Sequence, residues 1–321
     1  MTKLEELIIE KDKYYYLCCA GLGDTMLTCG FLHGLKKKFN REVILIVSQK
    51  HEFIAKMYGL TNYIIADFRD TDLKALSDEC RKPEEGKIFV AHPAFHSELA
   101  AFFKPVFYQN SNTKFLPWFR SFLGLDANEK MELPHKYPEL TDELLEKCNK
   151  IAPIEKMVIF SPEATSMEAL PEEFWNAKVN EAIQAGLVPV SNVIDAKHTI
   201  LNTNYIELSA EECVAIALKC HSVHSLRSGF CDLIFNLGKK LFVYYPSFNS
   251  LYLYSLKDMF NKQDINENVY LNEDIAIELQ EKEIKEKFYL FGLFPFFEIT
   301  TRHHKKYYKL FGIIIIKKVR K

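Results

Sequence analysis

The residues best suited to chemistry come in two short runs, each where a strand pattern gives way to a helix pattern. In the first, Gly21-Leu22-Gly23-Asp24-Thr25 follows a β-favouring stretch at 14–19 and opens an apolar-periodic segment ending in Leu35-Lys36-Lys37-Lys38-Phe39. Glycines let a backbone turn sharply and approach a ligand, and the free N–H groups of a helix start favour an anion. A carboxylate held there stays ionised and can accept a proton, or it can simply cap the helix; both readings of Asp24 stand. In the second run, Arg227-Ser228-Gly229 brings a planar cation, a hydroxyl and a glycine to another helix start. Arg227 suits a diphosphate; the alternative is a pairing with an acid of its own fold such as Asp232.

Two further sets join them. His92 and His96 lie in the loop after a short strand at 87–90, where they read as acceptor-side or proton-transfer groups, or as capping and solvent-facing histidines. Ser161, Glu163, Thr165 and Ser166 lie in a polar loop after the strand at 157–160 and are candidates for a donor loop.

The elements that must position these groups alternate. After the opening unit, Val43-Ile44-Leu45-Ile46-Val47 is a continuous apolar strand, as expected when both faces are covered, and short strands follow at 63–66 and 87–90. Helix 51–58 separates two of them. Prolines 134, 138 and 153 bracket one charged helix at 141–150, a linker composition. The pattern then restarts with strands at 157–160, 187–190 and 205–208 and a helix at 171–185. Ser209-Ala210-Glu211-Glu212 is a capping box predicting a helix to about 219. A strand at 222–225, a helix at 230–237 ended by Gly238, and a strand at 241–245 complete this half. Repeated βαβ units predict an α/β protein with largely parallel sheets, whose ligands lie beyond the carboxyl ends of the strands. We expect domains at 1–145 and 151–280 and a tail at 281–321.

A nicotinamide or flavin site does not fit the first turn. Met26 stands where the third glycine of that fingerprint belongs, Asp24 sits where pyrophosphate needs room, and Val47-Ser48-Gln49-Lys50 lacks the ribose-binding acid. The eight cysteines form no CxxC pair and have no zinc-like histidine spacing, so buried thiols in a reducing compartment are expected and no metal. The N-terminus has no apolar signal region and no run reaches the ~18 apolar residues of a membrane span, so a cytoplasmic protein is expected. The aromatics at 102–108 and 115–119 lack basic interleaving, which disfavours nucleic acid.

The net charge of −2 hides an asymmetry: residues 302–321 hold eight Lys and Arg and no acid, leaving −10 on the rest. Leu290-Phe291-Gly292-Leu293-Phe294 recurs twenty residues later as Leu310-Phe311-Gly312-Ile313-Ile314, each run bordered by lysines. Residues 287–321 therefore suit either an anionic membrane surface, with ~1 kcal/mol per basic side chain, or a β-hairpin or strand pair packed on the body, whose lysines are solvated or guard an edge. Self-association is a third use, and the oligomeric state is open.

The opening Gly21-Leu22-Gly23-Asp24-Thr25-Met26-Leu27 with Leu35-Lys36-Lys37-Lys38-Phe39 resembles the start of the heptosyltransferase-like bacterial glycosyltransferases, family nine, of GT-B fold. The run Ser228-Gly229-Phe230, Leu233 and Leu237-Gly238-Lys239 is similar to that family's donor-side turn and helix, and Pro162 is similar in place to its donor loop. The resemblance spans most of 14–250. It implies two Rossmann-like domains and inverting, metal-independent transfer of a sugar from a nucleotide-diphosphate donor to a saccharide or lipid-linked acceptor, in surface polysaccharide biosynthesis and without a cofactor. Asp24 matches the family's general base, and Arg227, Ser228 and Gly229 would meet the donor diphosphate; beside this resemblance, Gly21, Gly23, Thr25, His92 and His96 are candidates for the acceptor site or the cleft. The chain departs from the pattern at Arg227, Ser228 and Asp232, where the family carries an acid, a threonine and a histidine, and at Ser166-Met167-Glu168-Ala169, where it carries a cation. Two other readings remain at this point: a nucleotide-sugar epimerase or hydrolase, and a non-catalytic sugar-nucleotide-binding or membrane-tethered module.

Overall fold

The computed structural model describes residues 4–19, 21–92, 95–96, 114–270, 284–290, 294–302, 305–310 and 313–319. The chain forms two units, Met1–Val269 and Tyr270–Lys321.

The larger unit contains two parallel sheets. In the first, β1 (Tyr14–Cys18), β2 (Val43–Val47), β3 (Tyr63–Ile65) and β4 (Ile88–Val90) lie in the order β3-β2-β1-β4. In the second, β5 (Met157–Ser161), β6 (Val188–Ser191), β7 (Asn204–Tyr205), β8 (Ser222–Leu226), β9 (Leu241–Tyr245) and β10 (Asn266–Val269) lie in the order β10-β9-β8-β5-β6-β7. Every residue of β2 and β5 is buried, which accounts for the apolar runs Val43–Val47 and Met157–Phe160. All eight cysteines are buried too.

Each sheet has one place where the chain reverses its direction of travel across the strands. In the first sheet the order runs β1 to β3 one way and then jumps to β4 on the other side of β1. In the second it runs β5 to β7 one way and then to β8 on the other side of β5. Such switch points open a crevice beyond the carboxyl ends of the two strands that flank them. The loops that the sequence singled out for chemistry follow those four strands.

Local chemistry sets the helices. Thr141 caps the linker helix Asp142–Asn149 by accepting from the Leu144 N–H at 3.2 Å. Ser209 accepts from the Glu212 N–H at 3.2 Å while Glu212 accepts from the Ser209 N–H at 2.7 Å, the reciprocal box that its spacing predicts. Three expectations need correction. The helix after β1 is two helices, Leu22–Gly30 and Leu32–Phe39, because the buried Phe31 sits at φ −95°, ψ 2° between them. The helix after β8 ends at Leu233, since Ile234 leaves helical geometry at φ −115°, and a 3₁₀ turn Phe235–Lys240 follows. Gly238 lies inside that turn at φ 57°, with the Asp264 carboxylate where a Cβ would project, so it is not the helix terminator. Helices Asp70–Glu79, Phe248–Tyr254 and Leu256–Phe260 and strand β10 were not anticipated.

The smaller unit is an antiparallel sheet of β11 (Ile284–Leu290), β12 (Phe294–Arg302), β13 (Lys305–Leu310) and β14 (Ile313–Val319), in chain order. The twenty-residue repeat is a repeated hairpin: Leu290 pairs with Phe294 and Leu310 with Ile313. Register slips at the matching positions, Phe288/Tyr289 and Tyr308/Lys309. The aromatic stretch 102–108 lies outside the described residues, as do Pro93 and Ala94.

Candidate active site

Asp24 is the third residue of helix Leu22–Gly30, which begins at Gly21 directly after β1. Its Oδ2 accepts from the Gly21 N–H at 3.3 Å, so the carboxylate does cap the helix. Oδ1 is turned elsewhere, toward Nε2 of His92 at 3.6 Å. The register explains this meeting: Leu17 of β1 pairs with Val90 of β4, and the Ala91 N–H donates to Leu17 O at 2.9 Å, so His92 emerges beside the turn that carries Asp24. Both side chains keep partial exposure, 19% for Asp24 and 22% for His92. Burial pushes the Asp24 carboxyl above its ordinary value, while His92, the Gly21 N–H and, more weakly, Arg227 pull it back.

The other residues expected on the acceptor side are arranged differently. Thr25 is fully buried; its hydroxyl donates to Gly21 O at 3.1 Å and meets His51 Nδ1 at 3.2 Å. His51, which sequence reasoning passed over, is buried, and burial pushes its imidazole down to about 4. His96 is buried against the rings of Phe89 and Phe122, with Nε2 on Val90 O at 2.8 Å. It holds the end of β4 and faces the core, so the structure does not bring it to Asp24.

Arg227 follows β8, and it is buried. Its guanidinium donates to Asp232 Oδ1 at 2.7 Å and Oδ2 at 3.2 Å, to Tyr254 O at 2.9 Å and to Ser228 O at 2.6 Å. A fork engaged in this way makes the pairing with Asp232 the arrangement that the structure holds, rather than an open diphosphate clamp. Burial pushes the Asp232 carboxyl up to about 6 against the pull of Arg227, and Asp24 adds to the rise. Asp24 and the Arg227–Asp232 pair thus lie within electrostatic reach of one another although they belong to different sheets.

Two glycines make that approach possible. A Cβ on Gly229 would lie 2.5 Å from Gly23 N and 3.2 Å from Leu22 Cβ. A Cβ on Gly23 would strike the Asp232 carboxylate and stand 3.3 Å from Gly229 Cα. Helices Leu22–Gly30 and Gly229–Leu233 therefore meet backbone to backbone.

At the second switch point, Ser161 is buried and accepts from Asn192 at 3.2 Å. Glu163 ties two loops together, accepting from the Ile194 N–H at 2.8 Å and meeting His198 Nδ1 at 2.6 Å. Thr165 and Ser166 remain exposed in the same loop. Among the described residues, no group of three or more His, Cys, Asp and Glu side chains is placed to hold a metal ion.

Neither protein-family models nor curated protein sequences give a match to this chain. Solved structures do. A glycosyl transferase family 9 protein from Veillonella parvula superposes with a TM-score of 0.51 at 13% identity, over 85% of this chain and 92% of that one. The iron-containing dodecameric glycosyltransferase TibC from enterotoxigenic E. coli gives 0.50 at 12% identity, over 75% and 60%. The E. coli ADP-heptose heptosyltransferase II gives 0.47 at 14% identity, over 81% and 91%. The chain has the GT-B fold. Its two parallel sheets are the two halves of that GT-B architecture, and Asp24 stands at the switch point of one half while Arg227, Ser228 and Gly229 stand at that of the other. The antiparallel sheet at the C-terminus is a separate unit.

Proposed function

We propose that this protein is an inverting, metal-independent glycosyltransferase that moves a sugar from a nucleotide-diphosphate donor to a saccharide or lipid-linked acceptor in surface polysaccharide biosynthesis. The observation that carries the reading is the placement of Asp24. A partly exposed carboxylate, desolvated enough to be a better base than a surface acid, sits at the carboxyl end of one half and within electrostatic reach of the other. As general base it takes the acceptor hydroxyl proton while that oxygen attacks the anomeric carbon and the diphosphate leaves with its electron pair. Likeness to the family 9 and TibC structures supports the same reading at the level of fold.

The donor lies, on this reading, along the second switch point, where Thr165, Ser166 and Ser228 offer hydroxyls and Gly229 opens a helix. Arg227 acts there by setting the Ser228–Gly229 turn through its bond to Ser228 O and by its buried charge. Residues 287–321 hold the enzyme at an anionic membrane face on the cytoplasmic side; among the described residues no helix is long and apolar enough to cross a membrane.

The commitment of Arg227 to Asp232 favours one second reading, a module that binds sugar nucleotide without turning it over. Thermal-shift screening of nucleotide diphosphates and nucleotide sugars, followed by assay of the stabilising donor for sugar transfer, separates the two. Stabilisation with Asp24-dependent turnover supports the transferase; stabilisation without turnover supports the binding module; no stabilisation by any nucleotide contradicts both.

A further inference from the structure

Three histidines lie near the carboxyl end of the first sheet, and they differ in a way that assigns a job to one of them. His51 is buried behind Thr25, and His96 is buried on Val90 O between aromatic rings. His92 alone of the three keeps partial exposure, and it stands across the switch point from Asp24.

Their separation is informative. At 3.6 Å, Asp24 Oδ1 and His92 Nε2 are beyond a good direct hydrogen bond, yet close enough for one hydroxyl set beside them to reach both. The other carboxylate oxygen is occupied by the Gly21 N–H, so Oδ1 is the one presented. Strands β1 and β4 are neighbours in one sheet, so the turn that leads to Asp24 and the loop that carries His92 leave that sheet side by side.

We propose that His92 is an acceptor-binding residue: the saccharide hydroxyl that becomes glycosylated seats between His92 Nε2 and Asp24 Oδ1. Nε2–H donates to the hydroxyl oxygen, and the hydroxyl donates to Oδ1. In the transfer step the O–H bond breaks and its proton goes to Oδ1. The oxygen bonds to the anomeric carbon as the bond from that carbon to the diphosphate breaks, the electron pair leaving on the diphosphate. His92 keeps its proton throughout and orients the nucleophile. This rests on the glycosyltransferase reading for its chemistry, while the seat for a hydroxyl is testable without turnover.

The direct test is an NMR titration of ¹⁵N-histidine-labelled full-length protein with a panel of methyl hexopyranosides. A saturable shift of the His92 resonance with His51 and His96 unmoved is expected, and Asp24→Asn should weaken it; no shift at His92 with any sugar overturns the proposal. Where a donor turns over with one of these glycosides as acceptor, His92→Phe should lower kcat/KM for the glycoside by roughly tenfold, about one lost hydrogen bond to substrate, with donor Kd unchanged. His92→Gln, which keeps a donor N–H, should recover part of that loss. An unchanged acceptor kcat/KM in His92→Phe, or an equal loss of donor affinity, also overturns the assignment. Sugar-dependent shifts without any transfer would instead retire the transferase reading and leave the hydroxyl seat standing.

Discussion

Gly23 and Gly229 meet with no room for a side chain between them: a Cβ on Gly229 would come within 2.5 Å of the Gly23 nitrogen. Each glycine belongs to one of the two runs with chemical potential, so the contact joins the switch points of the two sheets. The second glycine of the Gly21-Leu22-Gly23 turn therefore serves a close approach between helices. That approach brings Asp24 under the influence of Arg227 and Asp232.

Gly23→Ala and Gly229→Ala should each lower stability in urea denaturation by about 1–3 kcal/mol, the usual cost of overpacking. Gly21→Ala is the control. Among the described residues its Cβ would meet only the Asp24 carboxylate, at 3.3 Å, and its φ of −96° suits any residue, so its effect should be well below theirs. Equal effects at all three positions would contradict the backbone contact.

Arg227→Met should cost about 3–5 kcal/mol, because it strands Asp232 in the interior, and a double variant with Asp232→Leu should recover much of that loss. Denaturation curves of the two variants decide the matter. A stable Arg227→Met protein with weakened donor binding would show instead that the guanidinium turns outward to the diphosphate.

Asp232 also predicts a pH effect. Its carboxyl sits at about 6 in the folded chain against 3.8 ordinarily. Between those values the folded state keeps a proton that the unfolded state has released, so this contribution to stability falls as pH rises through the window and levels off above it. Asp232→Asn has no such group. The difference in stability between the wild type and this variant should therefore slope across pH 4–6 and be flat above 7; a flat difference throughout would mean that the acid is not held up by burial.

Much of the frame could be read locally. The capping box at Ser209 depends on residues three apart, the buried strands on unbroken apolar runs, and the α/β class on their alternation with helices. What could not be read was made by distant partners. Nothing near Gly23 in the chain signals Gly229, and the burial of Arg227 against Asp232 is a tertiary arrangement that sequence does not display. Asp24 and His92 were both visible as candidates, but only the β1–β4 register put them side by side. His96, four residues further along the chain, looked equivalent and is buried in the core instead. In the tail, the twenty-residue repeat and a β-hairpin reading were both legible, and the pairing shows the hairpin twice, once for each copy of the repeat.

Removal of residues 270–321, the smaller unit, should lower sedimentation with anionic phospholipid vesicles while leaving the larger unit folded. The loss should be greatest at low salt, where each lysine acts over a longer range. Unchanged sedimentation would exclude a membrane role for the sheet, and a change in size on truncation would point to self-association.

The most direct measurement is sugar transfer by Asp24→Asn. The amide keeps the size of the side chain but cannot take a proton, so the variant should fold, retain donor affinity and lose ~10²- to 10⁴-fold in turnover. Full activity in Asp24→Asn would contradict the account and leave Asp24 with only the Gly21 N–H to cap.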